Sequence, residues 1–461
     1  MSSTPSALLP PGPRLPKWVQ TMLFVIDARR YVESAWRRHG DVVRFSTLFD
    51  QDFVMLFHPR DVKAIFTAPN DVLHAGEANA LLGPVLGQSS VLLLDGSEHL
   101  HHRRLMLPPF HGRRLGAYRT QVRRATDRAI DDWPVGTPFA LLRPMQSLTL
   151  DVIAVAVFGI EDGERAADLK RRLRDMLTPL GTRFGVLALA LTGGRLGNRG
   201  AVARFTEHRK RVDEVMYEEI AARRGADDLD EREDVFSMLL AARDEDGEGL
   251  TDTELRDQLI TLLVAGHETT AAGLAWTFEL LLRNPPVRER LEASLADGDD
   301  AYLDAVVKES LRLRPVIAGV GRKTQTPFDL AGYRIPVGLE LNPSIAGVHR
   351  RADVYPRPDA FRPERFLDPD TAPDTYSWIP FGGGVRRCLG ASFAMFEMRE
   401  VVRRVLERCA LEAVGTRSER VMRRGITQVP DKGGLVRQVR PPRPVATAAG
   451  DAEPVEATAA R

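Results

Sequence analysis

The sequence predicts a mainly α-helical fold with a small β-rich lobe. Between residues 17 and 440 most segments carry apolar residues at helical spacing, and the long middle of the chain contains little else. Short segments typical of strands occur only towards the two ends. No strand–helix–strand alternation is visible and no G-x-G-x-x-G follows a strand, so a built-in dinucleotide-binding domain is not expected.

Five short segments are predicted strands. Residues 41–46 and 53–57 form a predicted antiparallel pair near the N-terminus. Residues 321–324, 333–336 and 339–342 are predicted strands in the last third of the chain. The predicted strands therefore cluster towards both ends of the sequence, and the helical middle separates them.

One predicted helix is unusually long and apolar. Thr251 and Glu254 match a capping box, and Pro285 prevents continuation just past Asn284. The helix therefore has about 32 residues, or ~48 Å at 1.5 Å per residue. Apolar side chains cover nearly all of its faces between residues 259 and 278, which is typical of a helix buried through the core.

The composition is that of a globular domain flanked by two unstructured ends. Apolar residues make up 43% and charged residues 28% of the 461 positions. The proline-rich residues 1–16 predict a stiff leader, and the Pro- and Ala-rich residues 441–461 predict a disordered tail. Residues 17–440 are therefore the single predicted domain.

Charge, hydropathy and cysteine content exclude several classes of protein. The 64 Lys and Arg residues nearly balance the 63 Asp and Glu residues, so no nucleic-acid partner is predicted. The longest apolar run near the N-terminus, residues 22–26, is far too short for a membrane anchor, which needs about 20 residues. Only Cys388 and Cys409 are present, which excludes a disulfide framework and multi-thiolate metal sites, and favours a cytoplasmic location.

The strongest local signal surrounds Cys388. The run F-G-G-G-V-R-R-C-L-G begins at Phe381 and ends at Gly390, and its glycines allow a tight backbone close to a flat ligand. A helix predicted from residue 391 to about residue 407 starts directly afterwards, and its N-terminal dipole favours a thiolate at Cys388. The alternative is a buried structural thiol beside a glycine turn, which is the interpretation for Cys409 on a predicted helix face.

The pattern F-x-x-G-x-R-x-C-x-G resembles the haem-binding loop of the cytochrome P-450 family, and three further motifs occur in the family's order. The resemblance covers roughly residues 35–440. It implies an O₂-dependent monooxygenase shaped as a triangular prism, with haem b between the long helix and the cysteine loop and Cys388 as the iron ligand. The cofactor contacts that it implies in the loop are Phe381, Gly382, Arg386, Cys388 and Gly390.

Polar residues interrupt the long apolar helix at its middle. Ala265, Gly266, Glu268 and Thr269 match the family's acid–alcohol motif, A-G-x-D/E-T. By that resemblance Ala265 is a cofactor contact that leaves room above the haem, Thr269 holds water and oxygen there, and Glu268 passes protons from solvent. The alternative is a local hydrogen bond from the Thr269 hydroxyl to the Ala265 carbonyl. His267 is expected to make structural contacts on another face rather than to bind iron.

A later helix carries a pair of opposite charges. Glu309 and Arg312 share one helix face, and a solvated pair of that kind contributes only roughly a few tenths of a kcal/mol. The sequence around them resembles the family's E-x-x-R helix, and Arg365 lies in a segment that resembles the one completing a Glu–Arg–Arg cluster. The resemblance therefore implies a buried structural network of Glu309, Arg312 and Arg365.

Two further groups of residues are assigned by the resemblance. The positions expected to bind the haem propionates are His99, Arg103, Arg322 and Arg386, and a surface Arg or a core His is the alternative for each. The variable segments that set selectivity in the family are mostly apolar here, which predicts a lipophilic substrate such as a fatty acid, terpenoid or steroid-like molecule. The predicted pocket residues are Leu263, Val316, Ile317, Val320, Ile426 and Thr427.

Electrons are expected to come from separate proteins, because no flavin or iron–sulfur domain is visible in the sequence. The predicted partner is a ferredoxin or flavodoxin with its NAD(P)H reductase, docked on a basic face near the cysteine. The alternative is that these arginines form internal ion pairs or are simply solvated. The predicted face consists of Arg104, Arg113, Arg114, Arg387, Arg399, Arg403 and Arg404.

Three other interpretations are open from the sequence. A peroxide-using or isomerising haem-thiolate enzyme would be suggested by loss of the acid–alcohol pair, and that pair is present. A haem-based sensor or carrier would be expected to have an attached output domain, and none is visible. An Arg-rich helical interaction protein would bind no haem.

Overall fold

A computed structural model describes residues 9–48, 52–110, 116, 118–159, 163–177 and 200–444. Helices dominate it, and none in this part of the chain is long and apolar enough to cross a bilayer. They are α1 (Lys17–His39), α2 (Pro59–Phe66), α3 (Gly83–Leu86), α4 (Gly96–Met106), α5 (Arg119–Asp131), α6 (Leu142–Phe158), α7 (Glu164–Leu177), α8 (Gly200–Arg224), α9 (Val235–Ala241), α10 (Asp252–Leu282), α11 (Pro285–Ala296), α12 (Ala301–Leu313), α13 (Ile345–Val348) and α14 (Ala391–Arg408). The predicted leader, 1–16, and tail, 441–461, lie partly outside the described residues, so these boundaries stay predictions.

Short strands form four small sheets in the described ranges. The largest sheet has the order β1-β2-β8-β5-β3, and β2 pairs with β1 in antiparallel and with β8 in parallel orientation. The strands are β1 (Val42–Ser46), β2 (Asp52–Leu56), β3 (Leu73–His74), β4 (Phe139–Ala140), β5 (Arg322–Thr324), β6 (Phe328–Leu330), β7 (Tyr333–Ile335), β8 (Glu340–Pro343), β9 (Leu411–Ala413), β10 (Val421–Arg424), β11 (Thr427–Pro430) and β12 (Leu435–Gln438).

All five predicted strands are present within about two residues of their predicted ends. The predicted N-terminal pair is β1 and β2, and the three later segments are β5, β7 and β8. The strands that the sequence did not indicate have only two to four residues each, which is too short for an alternating pattern to be visible. The mainly α-helical fold with a small β-rich lobe is therefore confirmed.

The central helix α10 is 31 residues long and begins with the predicted capping box. The Thr251 hydroxyl accepts a hydrogen bond from the Glu254 N–H at 3.3 Å, and the Glu254 carboxylate accepts one from the Thr251 N–H at 2.8 Å. Two of the four N–H groups left unpaired at a helix start are thereby satisfied. Most of the helix is buried on all sides, and it packs along α6, so it is the axis of the main core.

Cys409 differs from its prediction as a residue on a helix face. It lies immediately after α14, where its N–H makes the last hydrogen bond of the helix, to the Val405 carbonyl at 2.7 Å. Its own backbone is already extended. Burial raises the pKa of its thiol to about 12, so the side chain stays protonated and unreactive at neutral pH. The structural interpretation of Cys409 therefore fits its position.

Two buried acids on α14 have opposite surroundings. The Glu400 carboxylate is paired with Arg119 and Arg123, at 3.1 and 3.0 Å. Glu397 is also buried, but its Oε1 atom has no hydrogen-bond partner, and burial raises the pKa of this carboxyl well above its ordinary value. Burial therefore favours the protonated, neutral form of Glu397 in the folded protein.

Glu397→Gln is expected to raise the melting temperature at pH 7 and to change little below about pH 4. Below the ordinary glutamate pKa of about 4.3, Glu397 is protonated in both the folded and the unfolded state. As the pH rises towards the raised folded-state pKa, only the unfolded state releases this proton, so the free energy of unfolding falls. Glutamine has the shape of the protonated acid and no proton to lose, so melting curves across this pH range should diverge upwards for the variant.

The matched control is Glu400→Gln, on the same helix. It removes the charge that holds Arg119 and Arg123, so it should lower the melting temperature at pH 7. If Glu397→Gln lowers it to the same extent, Glu397 is ionised and paired, and the assignment of a neutral acid is wrong.

Candidate active site

The cysteine loop packs tightly against α2. Gly382 and Gly384 have φ values of 66° and 64°, a backbone region that favours glycine. A Cβ atom on Gly384 would lie 1.9 Å from the Phe66 carbonyl oxygen, so no larger residue fits there. The Cys388 N–H donates a hydrogen bond to the Phe381 carbonyl at 3.0 Å, which closes the loop just before α14 begins.

The Cys388 side chain is exposed, although protein surrounds it closely enough for burial to raise the pKa of its thiol. The Gly390 N–H, Arg103 and Arg387 act in the opposite direction, as the predicted electropositive loop requires. Burial has the larger effect on the pKa of this thiol in the protein alone, and the thiolate expected at Cys388 stays a prediction. An exposed thiol with a raised pKa indicates a side chain that faces an internal cleft.

Two small residues at the middle of α10 have different surroundings. Ala265 is exposed although most of this helix is buried, whereas Gly266 packs closely against α6, since a Cβ atom there would lie 3.0 Å from the Ile153 side chain. The Thr269 hydroxyl donates a hydrogen bond to the Ala265 carbonyl at 2.6 Å, which is the local alternative considered for this motif. Because a hydroxyl has one proton and two lone pairs, Thr269 can still accept a hydrogen bond beside Ala265.

Glu268 is held from two sides by residues that the sequence did not single out. The Gln146 side-chain amide donates to Glu268 Oε2 at 2.5 Å, and the Arg424 guanidinium lies 3.7 Å from Oε1. Gln146 is on α6 and Arg424 on β10, and no pattern in the sequence connects either with Glu268.

His267 is held through its backbone, and the Nδ1 atom of its buried ring has no hydrogen-bond partner. Its carbonyl accepts a hydrogen bond from the Thr149 hydroxyl at 2.9 Å. Burial, assisted by Arg424 and Arg174, lowers the pKa of the His267 imidazole to about 4, so the ring is neutral at pH 7.

The residues predicted to bind the propionates lie close enough together to lower one another's pKa values. His99 is 1% exposed, its Nδ1 atom has no hydrogen-bond partner, and burial together with Arg386, Arg103 and Arg322 lowers its pKa to about 3. Burial and the nearby Arg386 also lower the pKa of Arg322 to about 10. Among the described residues, Asp95 is the only carboxylate in an ion pair with these three arginines. The group therefore has an excess of positive charge in a buried place.

Arg386 forms more hydrogen bonds within the protein than the sequence suggests. Its guanidinium donates to the carbonyls of Val91 and Leu94 and pairs with Asp95, which leaves only its Nε atom buried without a partner. Asp95 itself accepts from the Ala75 backbone N–H at 2.9 Å and from the two following N–H groups. Arg386 therefore ties the cysteine loop to the segment before α4.

Comparison with known proteins identifies the family. The family model for cytochrome P450 matches residues 10–436. The chain is a cytochrome P450. A putative cytochrome P450 135B1 of Mycobacterium tuberculosis is 42% identical over 471 residues, which cover 100% of this chain and 98% of the relative. A putative cytochrome P450 135A1 of the same species is 39% identical, with 98% and 100% covered.

Solved P450 structures share the fold. The structure of a retinoic acid bound cyanobacterial CYP120A1 superposes with a TM-score of 0.81 at 23% identity, covering 94% of this chain and 99% of that one. The haem domain of cytochrome P450DA gives a TM-score of 0.78 at 22% identity, with 95% and 99% covered. The P450 fold predicted from the cysteine loop is therefore confirmed, and with it the class of haem-dependent monooxygenase.

The residues of this P450 fit a haem. The exposed Cys388 thiol is the type of group that binds haem iron, and α10 presents open surface at Ala265. Buried arginines with an excess of positive charge, and the unpaired Nδ1 atom of His99, suit the two propionates of the cofactor.

Glu309, Arg312 and Arg365 are brought together in this P450. Arg312 makes two hydrogen bonds to the Glu309 carboxylate, at 2.6 and 2.9 Å, and Arg365 makes one at 3.1 Å. Glu309 and Arg312 are completely buried, so the solvated-pair alternative is wrong. Tyr355, which the sequence did not indicate, packs against both guanidinium groups, with its ring centroid 4.9 Å from Arg312 and 5.8 Å from Arg365.

The predicted pocket residues differ in how much surface they present. Leu263 is fully buried because its side chain points into the main core, and Thr427 is 2% exposed because its hydroxyl bonds the Arg424 carbonyl. Leu263 and Thr427 therefore present almost no surface in this structure, and their role as pocket residues stays a prediction. Ile317 and Val320 are partly exposed, Val316 is 8% exposed, and Ile426 is 47% exposed at the turn between β10 and β11.

Three arginines of the predicted docking face are already paired. Arg399, Arg403 and Arg404 form ion pairs with Asp304, Asp300 and Asp127, respectively. Arg104 and Arg387 are exposed, and Arg113 and Arg114 lie outside the described residues. The three ion pairs therefore leave less positive charge for a docking partner than the sequence suggests. The sequence did not reveal these pairs, because the carboxylates are distant from the arginines in the chain.

Proposed function

We propose that this P450 uses haem b to insert one oxygen atom of O₂ into a lipophilic small molecule of the fatty-acid, terpenoid or steroid-like class. The observation that carries the proposal is the position of Glu268 and Thr269 beside the exposed Ala265, in an otherwise buried helix. Haem bound through Cys388 supplies the activation of O₂, since a thiolate ligand favours cleavage of the O–O bond. The low cysteine content supports a cytoplasmic location.

The remaining roles belong to side chains of the protein. Thr269 Oγ1 holds a water molecule by accepting its hydrogen bond, and the Glu268 carboxylate takes protons from solvent and passes them towards that hydroxyl. Gln146 and Arg424 hold the Glu268 carboxylate in place for this relay. His99, Arg103 and Arg322 hold the propionates, and Arg386 positions the loop that carries Cys388.

Electrons come from a separate ferredoxin or flavodoxin and its NAD(P)H reductase. The support for this partner is the exposed Arg387, which is next to Cys388 in the chain and would attract an acidic redox protein. Arg104 is also exposed and follows Arg103, whose charge acts on the Cys388 thiol.

A substrate-induced spin-shift screen tests the substrate class. Fatty acids, terpenes and steroids are titrated against the haem-loaded protein, and at least one of these classes should shift the haem spectrum. Ile426→Asp should weaken binding of that ligand by about tenfold, because it places a charge at a predicted pocket position that is now apolar. Val439→Asp is the matched control, since Val439 is 43% exposed on another part of the surface. A response confined to small polar compounds would reject the lipophilic class.

Thr269→Ala is expected to uncouple electron consumption from product formation. Without the hydroxyl, protons are delivered less selectively, so the share of NADPH that ends in product should fall by roughly an order of magnitude while total NADPH consumption continues. The measurement is the ratio of product, peroxide and NADPH under the same conditions. Thr277→Ala is the control, because Thr277 makes the same bond one turn back, to Gly273 at 2.8 Å, in a fully buried place. Equal coupling in both variants would remove Thr269 from the proton path.

A further inference from the structure

The first half of α1 exposes a stripe of large apolar side chains. Trp18, Met22, Val25 and Ile26 are 58%, 52%, 59% and 68% exposed. Their spacing of four, three and one residues places them on one face of the helix. An apolar face of this kind on a surface helix usually marks a binding surface.

The opposite face of the same helix half is fixed to the β-rich lobe. The Gln20 side chain donates to the Leu15 carbonyl at 2.9 Å and accepts from the Ser46 N–H at 3.2 Å. The Thr21 hydroxyl accepts from the Leu48 N–H at 3.0 Å. The stripe therefore faces outwards because its own helix is anchored from behind.

Basic residues precede and follow this stripe in the sequence. Residues 9–40 contain six Lys and Arg residues but only two acidic ones, Asp27 and Glu33. The two acids pair with Arg30 and Arg37, at 3.4 and 2.5 Å. The six exposed basic residues are Arg14, Lys17, Arg29, Arg30, Arg37 and Arg38.

Some of this charge is uncompensated. Within the described ranges no ion pair joins Arg14, Arg29 or Arg38 to a carboxylate, whereas Lys17 lies 3.3 Å from Asp52.

α1 is kinked at Asp27, whose φ of −155° is not helical, so the apolar stripe lies before the kink and most of the arginines lie after it. The segment after the kink forms a surface cleft lined by Arg30, Glu33, Arg37 and Arg38. Apolar side chains on a surface helix that also carries Lys and Arg are typical of helices that lie in a membrane interface.

We propose that α1 binds the surface of an anionic lipid bilayer. Its apolar stripe enters the boundary between headgroups and acyl chains, and its arginines contact lipid phosphates. The positive charge favours this partner over a second copy of the chain, since a symmetric pair would bring the same arginines together. The helix lies on the bilayer without crossing it. The proposal is independent of the proposed substrate, but it would keep the enzyme where lipophilic compounds accumulate.

Vesicle flotation of the haem-loaded, full-length protein tests the proposal. Phosphatidylcholine vesicles containing phosphatidylglycerol should carry the protein, pure phosphatidylcholine vesicles should carry much less, and added salt should reduce the difference. Two double variants, Trp18→Ser with Ile26→Ser and Arg29→Glu with Arg38→Glu, should each weaken binding by about tenfold or more. Leu81→Ser with Val337→Ser is the matched control, because these side chains are 50% and 57% exposed elsewhere. An unchanged haem spectrum establishes that each variant is folded.

Three outcomes would overturn the proposal. One is wild-type protein that ignores phosphatidylglycerol vesicles at low salt, and another is equal flotation of the stripe variants and the control. The third is a wild-type dimer, measured by sedimentation, that the stripe variants dissociate while no form binds lipid. In that case the face pairs two copies of the chain.

Discussion

Glu309→Gln is expected to leave little folded, haem-loaded protein. The Glu309 carboxylate is fully buried, and it is the charge that both Arg312 and Arg365 contact. It also accepts a hydrogen bond from the Arg362 N–H at 2.9 Å, so the cluster joins α12 to the segment around residue 363. Removing one partner of a buried ion pair costs about 3–5 kcal/mol, because the remaining charges stay buried without compensation.

The other contacts of Arg312 explain why it cannot move to solvent. Its guanidinium donates to the His349 carbonyl at 2.7 Å and to the Ala360 carbonyl at 3.2 Å. His349 in turn accepts from the Ile379 N–H at 2.9 Å, just before the cysteine loop. The loss of Glu309 should therefore loosen the support of that loop as well as the cluster itself.

Haem content per protein and the melting temperature are the measurements for Glu309→Gln. Glu207→Gln is the control. Glu207 also pairs with an arginine about one turn along its own helix, Arg211, but both of these side chains are 55% exposed. Its loss should cost less than about 1 kcal/mol. Normal haem content and an unchanged melting temperature for Glu309→Gln would show that the cluster does not hold the fold.

Cys388→Ser should abolish the red-shifted Soret band that thiolate-bound iron gives when the reduced protein binds carbon monoxide. Serine lacks a thiolate, and Cys409 cannot replace it, because it lies beyond the far end of α14 with a thiol pKa raised to about 12. Cys409→Ser is therefore the matched control and should keep the band at full intensity. A wild-type spectrum of the histidine-ligated type, or a band that survives in Cys388→Ser, would contradict the assignment of the iron ligand.

The features that the sequence predicted well depend on neighbouring residues. The capping box at Thr251, the strand pair 41–46 and 53–57, and the loop around Cys388 each have a short pattern with a direct physical cause. The same holds for the two members of the Glu–Arg cluster that lie one turn apart. Local patterns therefore fixed the helices, the family and the position of the thiol.

The features that the sequence did not predict depend on contacts between distant segments. Asp95 compensates Arg386, and Gln146 holds Glu268, across long stretches of chain that no short motif spans. The full burial of Leu263 depends in the same way on how α10 is rotated against its neighbours. Only the structure could therefore show which arginines near the cysteine form ion pairs. The same is true of how much surface each predicted pocket residue presents.

The parallel pairing of β2 with β8 has a consequence for how the protein is made. Phe53 lies opposite Glu340, so the ribosome releases one strand long before it has synthesised the other. During that interval β2 has β1 on one side and an unpaired edge on the other, and such edges promote aggregation. Pairing between such distant segments is also slow to form. Chains that stop before residue 340 should therefore be substrates for chaperones or proteases.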